Sequence, residues 1–102
     1  MYLIQILLPL HDNSGHPFPA LAFQRVRDEL SERFGGITTY VRSPAVGLWR
    51  ETPETIDHDE IVIYEIMTED LDRSWWKEYR QELAERFRQQ VLVVRVSEVE
   101  ML

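Results

Sequence analysis

Three features of this sequence predict a single α+β domain over residues 1–102. Four short runs of apolar and β-branched residues alternate with two longer segments in which apolar residues recur every three or four positions. The longer segments carry the related motifs RDELSERF (27–34) and RQELAERF (80–87), and each motif precedes a run of strand-forming residues. The length of 102 residues is sufficient for one hydrophobic core and too short for two.

The apolar run YLIQILL at 2–8 predicts the first strand. It is apolar on both faces except at Gln5 and is closed by Pro9, which is typical of a central strand covered on both sides. A helix is predicted to follow Pro19 and to end at the glycine pair 35–36, because glycine readily adopts the left-handed conformation that ends many helices. Its apolar stripe consists of Phe23, Val26, Leu30 and Phe34.

The second half of the chain repeats this organisation. β-Branched and aromatic residues predict a second strand at 37–42, a long connection follows at 43–58, and IVIYEIM predicts a third strand at 61–67. The second helix is predicted to begin within 72–74, and VLVVRV at 91–96 predicts the fourth strand. The stripe of this helix consists of Trp76, Tyr79, Leu83 and Phe87.

The two related motifs favour a particular topology. Amphipathic helices rich in glutamate and arginine often resemble one another, so the similarity has an ordinary alternative explanation. If it instead reflects two βαβ halves, right-handed crossovers favour the ferredoxin-like βαββαβ arrangement. In that arrangement, a four-stranded antiparallel sheet of order 4-1-3-2 carries both helices on one face.

The other face of such a sheet is left open. Alternation along the strands assigns Ile37, Thr39 and Val41 to the helix side, and it assigns Gln5 and Glu65 to the open side. An apolar surface of this size is normally covered, so we expect homodimerisation through or beside the sheet. The alternative is that the long connection between the second and third strands folds over it. The apolar residues assigned to the open side are Leu3, Leu7, Ile61, Ile63, Met67, Val91 and Val93.

A polar row crosses this face and contains the first candidate site. It is predicted to run through Arg95, Gln5 and Glu65 to either Arg42 or Tyr40. Glu65 has two interpretations here: a general base or ligand anchor, and a structural ion pair that fixes the register of an interface. The residues that we expect to bind a ligand are Tyr40, Arg42, Trp49, Glu65 and Arg95.

The first loop contains the second candidate site. His11, Asp12 and His16 lie where a strand ends and a helix begins. Two imidazoles and a carboxylate are able to ligate a divalent metal, but their spacing matches no established site, and the alternative is that they are ordinary loop residues. His11 is also a candidate acid or base, beside Glu65. We predict no cofactor.

Composition argues against several classes of protein. The net charge of −7 argues against nucleic acid binding, because such binding depends on clustered lysine and arginine. The sequence has no cysteine, which excludes disulfides, thiolate zinc sites and iron–sulfur clusters. A secretory signal pattern and an apolar run long enough to span a bilayer are both lacking, so we predict a cytoplasmic protein with no membrane partner.

Three segments resemble the sequence pattern of DUF3574, a family of small uncharacterised bacterial proteins. They are FGGITTY at 34–40, GLW at 47–49 and YRQELAERFRQQVLVVRV at 79–96. That family has no established activity, so the resemblance implies a bacterial protein of unknown function. In outline the chain is also similar to dimeric α+β barrel proteins, which include monooxygenases, dehydratases and ligand-binding regulators.

Three functions are compatible with these features. The first is a homodimeric binding or accessory module that uses the open sheet face and takes a small-molecule ligand. The second is a cofactor-independent enzyme of the dimeric α+β barrel type, acting on a small substrate, aromatic or otherwise. The third is a purely structural module for protein interaction.

Overall fold

The computed structural model describes residues 1–42 and 61–102, and it describes side chains for residues 1–38 and 61–102. The α+β class predicted from the sequence is confirmed. The connection predicted at 43–58, including Trp49, lies outside the described residues. The elements are β1 (Tyr2–Pro9), α1 (Ala20–Phe34), β2 (Thr38–Arg42), β3 (Ile61–Thr68), α2 (Arg73–Arg86) and β4 (Val94–Glu98).

The strands form one antiparallel sheet in the order β2-β3-β1-β4. The first strand therefore lies inside the sheet, where it pairs with β3 along one of its edges and with β4 along the other. Its apolar character predicts this central position. The predicted bounds of the fourth strand were wrong, because it begins at Val94 rather than at Val91. Residues 91–93 still approach the sheet, since Leu92 is buried in the core and the Val93 carbonyl accepts a hydrogen bond from the Leu7 N–H.

The first helix begins and ends where the sequence predicts. Pro19 precedes it in an extended conformation, and its carbonyl accepts a hydrogen bond from the Ala22 N–H. Gly35 ends it with a φ of 81°, a left-handed conformation that glycine adopts without a steric penalty. The Gly35 N–H donates to the Ser31 carbonyl, which satisfies one of the free carbonyls of the last turn.

The second helix is capped by a side chain. The Asp72 carboxylate accepts a hydrogen bond from the Trp75 N–H, the usual geometry of an acidic N-cap. Phe87 follows the last turn and is fully buried, and Arg88 then reverses the chain with a φ of 50°. The helix therefore ends where its apolar stripe is already anchored in the core.

Both helices pack on the same face of the sheet. The core combines β1 and β3 residues with the predicted stripes of the two helices, and Ile37 packs against it. In the register of β2 with β3, Thr39 lies opposite Tyr64 and Val41 opposite Val62. The buried strand residues are Ile4, Ile6, Leu8, Val62, Tyr64 and Ile66.

The two related motifs occupy equivalent core positions but make different polar contacts. Leu30 and Leu83, at matching positions, are both fully buried. Arg86 of the second motif donates two hydrogen bonds to the Glu29 carboxylate of the first, at 2.5 and 2.7 Å. Its counterpart Arg33 instead lies 4.1 Å from the centre of the Trp75 ring. The arginines are therefore not simply solvated surface residues, because Arg86 links the two helices.

This link between the helices also shifts the pKa of its members. The Arg86 hydrogen bonds, assisted by the Tyr79 hydroxyl, hold the pKa of Glu29 below its ordinary value of 4.5. Burial, followed by the neighbouring Glu29 carboxylate, raises the pKa of Tyr79. The pair therefore stabilises the folded state in the form in which Glu29 is ionised and Tyr79 is protonated.

Replacing Glu29 by glutamine should weaken the dependence of stability on pH. A carboxylate whose pKa is lowered by folding contributes stability above its unfolded pKa and loses that contribution as the pH falls through its folded pKa. Between about pH 6 and about pH 3 the free energy of unfolding of Glu29→Gln should therefore fall less than that of the wild type. Urea titrations across this range measure the difference. Glu85→Gln, at an exposed position of α2, is the control, and equal slopes for wild type and Glu29→Gln would contradict the interpretation.

Candidate functional site on the open sheet face

The face of the sheet opposite the helices carries exposed apolar side chains. Leu3, Gln5 and Leu7 alternate with the core residues of β1 and are half-buried. On the flanking segments, Met67 is 53% exposed, Val91 78% and Val93 45%. Ile63 also belongs to this face, but it is only 3% exposed. It is not part of the core that lies between the sheet and the helices. The apolar surface predicted from alternation is therefore present on the described strands.

A hydrogen-bonded row of polar side chains crosses this face. Gln5 lies opposite Glu65 on one side and Arg95 on the other. The Gln5 amide donates to the Glu65 carboxylate at 2.5 Å, and the amide oxygen accepts from the Arg95 Nε at 2.6 Å. Gln5 therefore lies between Glu65 and Arg95, in the order that the sequence predicts for the row. The amide uses its donor and its acceptor at once, which orients both neighbours.

The fourth member of the row differs from the prediction. Thr38 lies opposite Glu65, whereas Tyr40 lies opposite Ile63 and Arg42 opposite Ile61. The predicted choice between Arg42 and Tyr40 was therefore wrong by two or four residues along the strand. Alternation in the sequence shows which face a residue occupies, but the register depends on pairing between strands. The side chains of Tyr40, Arg42 and Trp49 lie outside the described set, so their role as ligand-binding residues stays a prediction.

Asp12 organises the first loop through its side chain. Its carboxylate accepts hydrogen bonds from the Ser14 and His16 N–H groups, both at 2.9 Å. The bond from the His16 N–H is the largest cause of the lowered pKa of Asp12, and Arg88 is at 3.8 Å from the carboxylate. This is the local side-chain-to-backbone bonding that favours aspartate in turns. Asp12 therefore has a structural role in shaping the loop.

The predicted metal ligands do not converge in the described part of the chain. The His16 imidazole is 3.7 Å from the Asp12 carboxylate, but it is highly exposed. Within residues 1–42 and 61–102, no three histidine, cysteine, aspartate or glutamate side chains come together as a metal site would require. Ordinary loop chemistry thus accounts for Asp12 and His16.

A depression of about 720 Å³ opens where β1 leads into the first loop. Its apolar part comes from Leu7 and from residues of the open face near the start of β3 and before β4, and His11 and Asp12 lie along its polar part. Leu7 is two residues from Gln5, a distance of about 7 Å along a strand. The depression and the polar row are therefore neighbouring parts of one surface. The other lining residues include Pro9, Asn13, Ile61, Gln89, Val91 and Val93.

Sequence reasoning found most of this surface but did not join its parts. His11 was considered in relation to a metal, and the structure places it instead beside the apolar residues of the open face. Gln89 was missed, because it is a single polar residue in a turn after α2 and no local pattern marks it. Its side chain donates to the Phe87 carbonyl and it lines the depression only because Arg88 reverses the chain.

Comparison with known proteins adds a similarity of fold. No protein-family model and no curated protein matches this chain. A solved structure of a phage SAM lyase in complex with S-methyl-5'-thioadenosine is similar, with a TM-score of 0.57 and 15% sequence identity. The similarity covers 95% of this chain and 80% of that one. At this identity it bears on the fold, and it agrees with a small α+β domain.

In the described ranges, neither helix has the length and apolar character needed to cross a membrane.

A double-mutant cycle should detect coupling between Gln5 and Glu65. Because one hydrogen bond joins the two side chains, Gln5→Ala and Glu65→Ala should be non-additive by about 1 kcal/mol in the free energy of unfolding. Urea unfolding of the wild type, the two single variants and the double variant gives this term. The same cycle with Glu85→Ala, on the exposed face of α2, should be additive. Additivity in the Gln5 and Glu65 cycle would show that the row is not a structural unit.

Proposed function

We propose that this protein is a homodimeric binding protein that takes a small-molecule ligand on its open sheet face. The observation that carries the proposal is the hydrogen-bonded row of Gln5, Glu65 and Arg95 within an apolar face. Ligand sites commonly combine an apolar surface with a few polar groups held in fixed positions. The Gln5 amide fixes both a carboxylate and a guanidinium here, which favours a ligand with polar and apolar parts.

The fold assignment in this proposal is the ferredoxin-like βαββαβ topology. Its support is the strand order β2-β3-β1-β4 with both helices on one face. A cytoplasmic location is part of the proposal, and the cysteine-free sequence is compatible with it.

Homodimerisation is proposed because the open face is both apolar and exposed. Met67, Val91 and Val93 keep large apolar side chains in contact with solvent in the single chain. A two-fold symmetric contact covers such a surface most simply, because the same patch faces itself in the partner. Association of two such faces would also narrow the depression beside His11 and reduce the access of water to it.

The ligand class to test first is an adenosine thioether. The phage SAM lyase of similar fold was solved with S-methyl-5'-thioadenosine. The depression of about 720 Å³ lies within the range of small-molecule sites. Its apolar residues suit a thioether and the face of a purine, and the polar groups of His11, Asn13 and Gln89 suit hydroxyl and ring nitrogen partners.

A second candidate function is a cofactor-independent enzyme at the same surface. The observation that favours it is Glu65, a carboxylate positioned by the Gln5 amide on a half-buried face. Such a group is suited to act as a general acid or base, and His11, which lines the neighbouring depression, is the other candidate. A dimer that carries no ligand would instead favour the third function, a structural module for protein interaction.

Replacing Met67 by glutamate should convert the dimer to a monomer. The substitution places a charge on the proposed apolar contact, where burial without a partner is costly. Sedimentation equilibrium or light scattering measures the mass, and circular dichroism confirms that the variant is folded. Leu21→Glu is the matched control, because Leu21 is 74% exposed on α1 and should leave the dimer intact. A monomeric wild type, or a dimer that persists in Met67→Glu, would remove the interface from the proposal.

Native mass spectrometry of the purified protein should show a dimer, and a denatured control separates bound ligand from covalent mass. Titration with S-methyl-5'-thioadenosine should show saturable binding, and Glu65→Gln should reduce the affinity about tenfold or more, because that change removes the carboxylate of the polar row next to the depression. Glu85→Gln is the control. Incubation with SAM tests the enzyme alternative, with S-methyl-5'-thioadenosine as the product sought. A clean dimer that neither binds nor converts these compounds would favour the interaction module.

A further inference from the structure

A second surface lies between α2 and β4, away from the open face. It is a narrow groove of about 170 Å³, and its apolar residues come from the start of α2 and from β4. Trp76 is buried at its base, while Val96 is 38% exposed beside it. The remaining lining residues are Leu71, Arg73, Lys77, Arg80 and Val94.

One side of this groove is a strip of positive charge. Arg73, Lys77 and Arg80 are spaced by four and three residues, which places them on one face of α2. All three are exposed, and within residues 1–42 and 61–102 none of them forms an ion pair. The strip contains the only lysine of a chain whose net charge is −7. Three neighbouring cations without carboxylate partners are thus an exception to the charge balance of the protein.

The other side of the groove is the outer edge of β4. This strand is the last in the order β2-β3-β1-β4, and no strand of the described ranges pairs with its outer edge. The Leu7 N–H donates to the Val93 carbonyl, and the Val99 N–H donates to the Met1 carbonyl. In an antiparallel ladder the hydrogen-bonded residues alternate, so every second residue from Val93 to Val99 bonds to β1. The N–H and carbonyl groups of Val94, Val96 and Glu98 therefore point outward.

We propose that an extended acidic peptide segment of a partner protein binds this groove by pairing with the outer edge of β4. The three outward-pointing residues offer donors and acceptors for a new antiparallel or parallel strand, the mode known as strand addition. Alternate side chains of the added strand would face α2, where carboxylates meet the basic strip and apolar residues meet Trp76 and Val96. The proposal is independent of the ligand site, which uses the opposite face of the sheet.

Charge selects this partner over a second copy of the chain. Pairing of two β4 edges about a two-fold axis would set α2 of one copy beside α2 of the other. The basic strips of the two copies would then face each other, and their like charges would repel. Basic side chains beside an exposed edge commonly prevent this self-pairing. An acidic strand in this position instead brings carboxylates next to the basic strip, and the opposite charges attract.

The test uses a fluorescein-labelled decapeptide of alternating valine and glutamate with the full-length protein at low salt. Fluorescence anisotropy should show saturable binding to the wild type and none for a valine and lysine decapeptide. The double variant Lys77→Glu and Arg80→Glu should weaken binding by about tenfold or more. Arg25→Glu, a single charge reversal at an exposed position of α1, is the control. Comparable binding of labelled oligothymidylate would overturn the proposal, because the strip would then attract any polyanion.

The strand-pairing step has its own test. Val96→Pro removes an outward N–H without touching the ladder to β1, a position at which an edge strand tolerates proline, and it should abolish binding. Val96→Thr keeps this N–H and should bind like the wild type. In the unmodified protein, hydrogen exchange of the Val94, Val96 and Glu98 amides should slow when the peptide is added. Unchanged exchange, or unchanged affinity in a folded Val96→Pro variant, would overturn strand addition, and so would failure of the wild type to bind. The same binding should persist in Met67→Glu, which separates this proposal from that of the open-face dimer.

Discussion

The position of β1 at the centre of the sheet is the constraint on which the other parts of this structure depend. Both of its edges are hydrogen-bonded, and its two faces meet different surroundings. Ile4, Ile6 and Leu8 pack under the helices, while the residues between them form the middle of the open face. Because side chains alternate along a strand, a slip of one residue would exchange these two sets and place Gln5 in the core without its partners. The core and the polar row thus specify the same register of β1, and a shift of this register would disrupt both of them.

The two helices are joined by an apolar contact and by a polar link. Phe34 and Trp76, whose rings stack at 5.4 Å, supply the apolar part, and Glu29 with Arg86 supplies the polar one. The polar link is partly exposed, so its contribution to stability depends on well-aligned hydrogen bonds more than on burial. The two parallel hydrogen bonds from Arg86 to Glu29 provide this alignment. The related motifs of the sequence therefore produce similar packing but not a symmetric structure. Arg33, which would complete the symmetry, stacks on Trp75 because the aromatic residues at the start of α2 lie beside the end of α1.

Two surfaces of different chemistry remain available on this small domain. The open face is apolar with one hydrogen-bonded polar row, which suits a ligand or a second copy of the same face. The groove beside β4 is edged by cations and by outward backbone groups, which suits an acidic strand. They are separated by the thickness of the sheet and by the width of α2, so occupation of one does not block the other. A single sheet thus provides one binding surface from its face and another from its edge.

The sequence by itself determined the class of fold, the order of its elements and the faces on which the residues of β1 and β3 lie. These are local properties: helical and strand periodicity, Pro19, Gly35 and the Asp72 cap act within a few residues, and their signals are read without knowing the rest of the chain. Only the tertiary structure decided that Thr38 and not Tyr40 or Arg42 stands opposite Glu65, that the Gln5 amide is hydrogen-bonded to both Glu65 and Arg95, and that β4 starts at Val94. It also brought His11 and Gln89 to one depression. These outcomes depend on pairing between segments that are far apart in sequence, and several registers preserve the same alternation, so no local pattern distinguishes them.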